Sequence, residues 1–524
     1  MSDFHDVIVI GGGHNGLTAA AYLAGAGRRV AVLEAQDTFG GTAASVEFGS
    51  GLRAPMVFPT VNMLHPSVVS DLDLNKHGLQ TVSGSAQATV LGASEPLQIT
   101  GEGASSQLSE ADQRAYQEFE RLLARVASAL EPIMGGALPE IEAAGVGSVF
   151  EMLTLGWRMR RLGRRDMPQA MRLLPMSLRD IVQERFDDER LRAAVAWRGL
   201  AASWLGPWSP GGGYTLLYHR PAWGGPLLGA PMFAAGGSGG VTEALAAAAK
   251  AAGAELRASA RVARIRVDED RAVGVVLEDG EEIPCRAVLS AVDPRTTLTG
   301  LLDSGWLDPD HVAAARNIRM RGTVASVRIA ASALPQVDGL DESAWGGRVQ
   351  IGDSLEYLEK AFDAAKYGRL PEHPVVDITV PSLADSTLAP AGTHVMHAWV
   401  QYVPHAFSGT GWDSKRDELG TLVIDTIDSH AVGFASSVQH VDITTPADLE
   451  DKLGIGGGHP YHGEMSMDQL LYMRPIAGWY DNRTPVDGLY LGGPGCHPGG
   501  GITGIPGKNA AARVGADWKN GRLG

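Results

Sequence analysis

The chain has 524 residues, 44% of them hydrophobic and 20% charged, a globular composition long enough for two to four domains. Its 44 basic and 60 acidic side chains give a formal net charge of −16, which makes nucleic acid a poor partner. The only cysteines, Cys285 and Cys496, lie far apart; this excludes a multi-disulfide framework, a cysteine-based zinc cluster and a Cys-x-x-Cys redox centre, and fits a reducing compartment.

No basic or apolar leader precedes the first strand signal, and no apolar run reaches the roughly 18 residues of a membrane span. A cytoplasmic protein without signal or transit peptide is expected. Phe4 to Ile10 contains Val7-Ile8-Val9-Ile10, a β-branched run suited to a buried parallel strand. Gly11, Gly13 and Gly16 follow in Gly-x-Gly-x-x-Gly spacing, and an Ala-rich helix is predicted from about Asn15 to Ala26. Val30 to Leu33 reads as a second strand ending at Glu34. Strand, glycines, helix, strand and acid in that order form a dinucleotide site. Gly11 permits the tight turn, Gly13 lets the backbone approach a pyrophosphate, and Gly16 lets helix and strand pack closely. The helix N-terminus, with His14 and Asn15, offers free N–H groups to the phosphates. Glu34 would accept hydrogen bonds from the adenosine ribose and repel a 2′-phosphate, favouring FAD or NAD over NADP. A second glycine pair, Gly40-Gly41-Thr42, follows beside the ribose end.

Residues 76–230 change in character. Ala111 to Leu130 is predicted to be an amphipathic helix with Tyr116, Phe119, Leu122, Leu123 and Val126 on one side. Trp157, Trp197, Trp204, Trp208 and Trp223 crowd into this stretch, as either a large apolar cavity or an ordinary core or interface requires. Trp157 to Arg179 holds seven arginines against one aspartate, a net +6 that suits either a solvated face or peripheral contact with anionic lipid. Gly236-Gly237-Ser238-Gly239-Gly240 precedes a helix but follows a poor strand, Pro231 to Ala235, and no acid follows at the right distance. A second dinucleotide site is not expected there. Ala260 to Val267 and Ala272 to Leu277 alternate like antiparallel strands, and Arg286 to Val292 is another apolar run.

In residues 301–480, Val324 to Ile329, Val375 to Val380, His394 to Tyr402 and Ser437 to Ile443 have strand character, and Leu419 to Ser429 looks helical. The loop His459-Pro460-Tyr461-His462-Gly463-Glu464 lacks metal-ligand spacing and is expected to lie over the cofactor. Near the C-terminus a strand at Leu489 to Leu491 runs into Gly492, Gly493 and Gly495, and His497-Pro498-Gly499-Gly500-Gly501-Ile502 leads into a helix predicted from Thr503 to about Val514. A second helix N-terminus suits the edge of a flavin where charge accumulates on reduction, which decides for FAD over NAD.

The opening GGGHNGLTAAAYLAGAG and the closing MDQLLYMRPIAGWYDNRTPVDGLYLGGPGCHPGGGITGIPGKNAA, with GGSGGVTEALAAAAKAAGAELRASARVARI between them, resemble the phytoene desaturase-related FAD oxidoreductases, in the pyridine nucleotide-disulphide oxidoreductase domain-containing protein two branch. The resemblance implies an α/β chain with an α+β substrate region: an interrupted Rossmann-like FAD-binding domain of the glutathione-reductase/amine-oxidase type with an inserted substrate domain. FAD-binding parts would span 1–75, 231–300 and 481–524, and substrate-domain parts 76–230 and 301–480. It also implies that the Val262 backbone meets the adenine and that Ser290-Ala291 closes the sheet near the pyrophosphate. Two departures matter. Thr42 stands where many amine-oxidase-like relatives have Arg, which weakens an amine-oxidase analogy, and no Cys-x4-Cys exists for disulfide exchange.

The activity expected is dehydrogenation of an apolar, isoprenoid- or polyene-like compound by non-covalently held FAD, reoxidised by oxygen or a quinone rather than by NAD(P). Flavin-dependent isomerisation or saturation of a polyene, amine oxidation, and flavin binding with little catalysis remain alternatives. His497 is the first candidate for flavin contact or proton handling, with Tyr461, His462 and Glu464 at the same end, beside Arg474 and Trp479. An oligomer is compatible with the sequence.

Overall fold

The computed structural model describes residues 4–140, 146–222, 224–409 and 411–523. A mainly parallel sheet has the strand order Val262–Asp268, Arg271–Leu277, Glu282–Ser290, His5–Ile10, Val30–Leu33, Glu255–Arg257, with Leu489–Leu491 also pairing against Glu282–Ser290. It therefore draws strands from both ends and the middle of the chain. The β-branched run behaves as a strand buried on both faces. Val7 and Val9 pack with the alanines of helices His14–Gly25 and Ile505–Lys519, whereas Ile8 and Ile10 face Ile265, Met320 and Trp479. Alanine and glycine let those two helices approach at backbone distance: a Cβ on Gly507 would lie 2.1 Å from the Asn15 carbonyl oxygen. The two ends of the chain are locked together there.

A second sheet has the order Val438–Thr444, Val324–Ala331, His394–Gln401, Val375–Thr379, Arg348–Ile351, Gln87–Leu91, Leu97–Thr100. Its pairs are antiparallel except Arg348–Ile351 with Gln87–Leu91, so residues 87–100 complete a sheet made mostly by residues 324–444. A helical block lies against it. The predicted helix runs longer than its apolar pattern, Glu110–Met134, because Ser109 caps it by accepting from the Asp112 N–H and the last turn continues to Gly135. Its stripe of Tyr116, Phe119, Leu122, Leu123 and Val126 is buried as expected.

Other boundaries shift by a few residues. The weak strand signal near residue 233 is a short strand, Met232–Ala234, paired with Thr81–Ser83. The C-terminal helix starts later than Thr503, at Ile505, because Gly504 takes a left-handed N-cap conformation (φ 74°). Among the described residues no helix is long and apolar enough to cross a membrane. Trp223 falls outside the described residues.

Candidate active site

A cavity of about 940 Å³ including its part open to solvent lies at the carboxyl ends of the first two strands. Gly11, Gly13, His14, Asn15 and Gly16 line one wall, Glu34, Gly40, Gly41 and Thr42 another, and Val262 and Ala291 a third. The glycines have distinct uses. Gly11 has φ 95°, a turn conformation closed to most side chains. A Cβ on Gly16 would sit 2.0 Å from the Gly11 oxygen, so helix and turn touch only because that atom is missing. Gly13 differs: its φ is −70°, and a Cβ there would meet nothing nearer than the Gly40 oxygen at 3.9 Å. Its side faces open space. Gly13 is the N-cap of His14–Gly25 and no side chain caps that helix, so its first N–H groups lack intrahelical acceptors.

The second glycine pair closes onto the first, with the Gly40 N–H donating to the Gly12 oxygen at 2.9 Å. Glu34 pins both. One carboxylate oxygen accepts from the Gly12 N–H at 2.6 Å and the other from Gln36 N–H at 2.9 Å, leaving lone pairs toward the cavity for hydroxyl donors. The Asn15 side-chain oxygen is buried at the cavity without a protein partner. Bare helix N–H groups, an anchored carboxylate, an orphan amide oxygen and the adjacent Arg261 fit the phosphates, ribose and polar edges of FAD. Arg261, Asp293, Thr296 and Leu453–Ile455 also line this cavity, and sequence reasoning missed them. The first is a neighbour of Val262 and Asp293 is a readable N-cap, but Leu453–Ile455 carries no motif.

The C-terminal glycine segment is packed rather than open. A Cβ on Gly493 would lie 2.5 Å from the Ala291 oxygen, and Pro494 beside it reaches the cavity. The Tyr461 ring fills the space over Gly500, 2.1 Å from where a Cβ would be, and the Tyr218 hydroxyl donates to the Gly500 oxygen at 2.7 Å. His14 reaches the Gly501 oxygen at 3.0 Å. Pro498 and Ile502 are buried in the same segment but, like Gly493, Gly500 and Gly501, are not among the residues lining the cavity.

The catalytic candidates separate. His497 is fully buried, and its Nε2 donates to the Ile133 oxygen at 2.7 Å, fastening the glycine segment to the end of Glu110–Met134. Its Nδ1 has no protein partner, and burial lowers its pKa to about 4, so it is neutral at pH 7. It does not line the cavity. Glu464 has a different role from the one expected: its carboxylate is held bidentately by Arg321 at 2.6 and 2.9 Å and approached by Arg319, and it stands away from the cavity. His462 does line the cavity, in a left-handed backbone conformation (φ 54°), with Nδ1 unpartnered. Burial lowers its pKa to about 4, with the Asp293 carboxylate pulling the other way.

Tyr461 belongs to a buried relay. The His219 Nδ1 lies 2.9 Å from the Arg198 oxygen and must donate to it, so Nε2 accepts from the Tyr461 hydroxyl at 3.1 Å. Burial raises the Tyr461 phenol well above its ordinary range. Arg474 is fully buried and donates to the carbonyls of Tyr461, Gly463, Glu464, Gln469, Pro494 and Cys496, stapling the loop to the glycine segment. Trp479 packs on His311, away from the cavity.

A second cavity, about 1160 Å³ including its part open to solvent, adjoins the end of the glycine segment at Thr503. Thr503 and Ile505 wall it on one side, Met63, Leu217 and Tyr218 on another, and Ala124, Ala127 and Met134 of the long helix on a third. Its carboxylate Glu131 faces Arg158 at 4.0 Å, and the Arg220 guanidinium is paired with Glu120 at 2.9 Å. Trp157, Trp197, Trp204 and Trp208 do not line it: Trp197 is core, Trp157 and Trp208 are exposed.

The chain is 34% identical over 98% of its length to pyridine nucleotide-disulfide oxidoreductase domain-containing protein 2 of Rattus norvegicus, covering 94% of that protein. It is 26% identical to one of the subunits of limonene dehydrogenase from Castellaniella defragrans, over 98% of this chain and 94% of the relative. The solved structure of cyclohexylamine oxidase from Brevibacterium oxydans superposes with a TM-score of 0.59 at 15% identity, covering 98% of this chain and all of the other. Residues 16–363 match the family described as flavin containing amine oxidoreductase. With the glycine-built cradle, that match establishes a FAD-dependent oxidoreductase: the chain belongs to the flavin containing amine oxidoreductase family.

Proposed function

We propose that the protein dehydrogenates an apolar, isoprenoid- or polyene-like compound bound in the second cavity. The observation that carries this reading is the lining of that cavity: methionine, alanine, leucine and isoleucine supply most of its apolar surface, and among its polar groups the carboxylate Glu131, like the nearby Glu120, already faces an arginine. An ammonium substrate would find no unpaired acid there, whereas a hydrocarbon would find apolar surface that excludes water. A relative named for limonene, an apolar isoprenoid, supports the same substrate class.

Bound FAD supplies the two-electron acceptor for the hydride. The chain's own residues bind, orient and handle the proton. The helix N-terminus at Gly13 to Gly16 would hold the phosphates and Glu34 the ribose. His462, neutral and with an unpartnered ring nitrogen at the cofactor cavity, is the available proton acceptor for the adjacent carbon. NAD(P) is disfavoured as electron partner because the Gly236–Gly240 run is closed: Ser45 Oγ accepts from the Gly239 N–H at 3.0 Å and donates to the Gly236 oxygen at 2.6 Å. Oxygen or a quinone fits better.

The test is anaerobic mixing of the FAD-loaded protein with a cyclic monoterpene, an acyclic polyisoprenoid and a primary amine in turn. Loss of oxidised-flavin absorbance with a hydrocarbon, and a product lighter by two hydrogens, is the expected result. Bleaching by the amine alone would overturn the reading, and bond isomerisation without net bleaching would replace it with the isomerase alternative.

A further inference from the structure

Helix Val146–Arg161 turns an apolar face to solvent. Val149, Phe150, Met152, Leu153 and Trp157 are five of the fifteen exposed large hydrophobics among the described residues, gathered within nine positions. Phe150, Leu153 and Trp157 are 70%, 67% and 56% exposed, and their spacing puts them on one side of the helix. Scattered exposed leucines need no explanation, but a helical stripe of aromatic and aliphatic side chains does.

Arginines surround that stripe. Arg160, Arg161, Arg164 and Arg165 are exposed, and the Arg161 guanidinium lies 4.5 Å from the Trp157 ring centroid. Arg160, Arg164 and Arg165 have no ion pair among the described residues. This patch stands on a chain whose net charge is −16. Together the features describe a helix that lies in an interface plane, with apolar side chains among the acyl chains and guanidinium groups at the phosphates. We propose that Val146–Arg161 docks the protein on an anionic phospholipid bilayer.

Two arguments favour that occupant over a second copy. A two-fold copy would bury the apolar stripe but bring unpaired arginines against their own equivalents, which repel in a water-poor interface. A bilayer instead neutralises every arginine while repelling the acidic remainder of the chain, so the charge distribution fixes which side faces the lipid. Arg158 also ties the helix to the second cavity, whose rim it forms. Docking would therefore place that opening near the lipid. This last consequence rests on the substrate reading of the cavity; docking itself does not.

Flotation of the full FAD-loaded chain with vesicles separates the outcomes. Binding is expected to vesicles of phosphatidylcholine with phosphatidylglycerol, not to phosphatidylcholine alone, and to weaken as salt is raised. A Phe150→Ser/Leu153→Ser/Trp157→Ser variant and an Arg160→Glu/Arg164→Glu/Arg165→Glu variant should each bind at least roughly tenfold less. All six side chains are exposed, and retained FAD absorbance verifies the fold of each variant. Equal binding to neutral vesicles, or binding unchanged in both variants, would overturn the proposal. So would absence of vesicle binding, with sedimentation equilibrium showing a dimer that the apolar variant dissolves, which would assign the face to a second copy. Docking can fail while hydrocarbon dehydrogenation stands, and the reverse.

Discussion

The two cavities meet one C-terminal segment at different points, Pro494 and Thr503, and are built by opposite means. The cofactor cavity is walled largely by main chain: three glycines at a turn, a glycine pair zipped onto them, and the unoccupied N–H groups of a helix. The second is walled largely by side chains brought together from residues 63–65, 124–135, 158, 217–222 and 503–505. A backbone-built site tolerates few residue types at each position, because the missing Cβ atoms are the site. A side-chain-built site accepts any set that adds up to the right volume and polarity.

The sharpest way to break that comparison is to add one Cβ at two different glycines. Gly16→Ala places a methyl 2.0 Å from a backbone oxygen that cannot move without dismantling the turn. It should cost about 3 kcal/mol or more and leave little folded protein. Gly13→Val should fold, because its Cβ meets nothing closer than 3.9 Å and its φ is ordinary, yet fill the space a pyrophosphate needs. FAD affinity should fall by roughly a hundredfold or more, about 3 kcal/mol. Circular dichroism and flavin absorbance together check the pair. A colourless, folded Gly13→Val protein beside an unfolded Gly16→Ala protein is expected; a yellow Gly13→Val protein would remove the cofactor from this cavity.

The same distinction explains what could be read from the sequence. The cradle was legible because its parts are contiguous and each glycine answers a steric demand, and because Glu34 ends a strand whose register is fixed by burial. The catalytic end was only partly legible. Tyr461, His462 and Glu464 are sequence neighbours, yet one faces His219, one the cofactor cavity and one Arg321, since the left-handed His462 backbone sends adjacent side chains apart. His497 sits among the expected glycines, but its direction is set by a carbonyl 364 residues away. The tryptophan cluster left cavity and core both open for a related reason: proximity in sequence does not say which face of its own helix each ring occupies, and Trp197 and Trp157 end up in core and solvent.

Acid should have the next largest effect, and it tests whether the histidines or the backbone hold the cofactor region together. His14, His219, His462 and His497 are lowered to about 4, and His397 and His459 to about 3, all mainly by burial. Each is neutral when folded but charges near 6.5 when unfolded, so the unfolded chain binds more protons as pH falls. Their contribution is fully present above pH 6.5 and is lost progressively from pH 6.5 down to about 4, or about 3 for His397 and His459, on the order of 3 kcal/mol per histidine at the low end. Thermal melts should be flat above neutrality and drop steeply through that window. If the main chain grips the cofactor, FAD release monitored by fluorescence should coincide with unfolding at each pH. Release well before unfolding would transfer the grip to His14 and His462.

The smallest effect expected comes from Tyr461→Phe, and it separates a ring that packs from a hydroxyl that reacts. The phenyl ring retains its stack on Phe58, with centroids 6.0 Å apart, and still covers Gly500, so FAD should stay bound. What disappears is one hydrogen bond to His219 Nε2, whose acceptor site is then buried and unmatched, a loss of about 1–2 kcal/mol visible as a small drop in Tm. Because the His219 Nδ1 proton is committed to the Arg198 carbonyl, the relay ends in a main-chain oxygen and has nowhere to pass a proton. A positioning role therefore follows: kcat should change less than about threefold and its pH profile should keep its shape, whereas loss of a proton-transfer group lowers kcat by about 10²–10⁴. A fall of that second size, with FAD content intact, would move the chemistry from His462 to Tyr461.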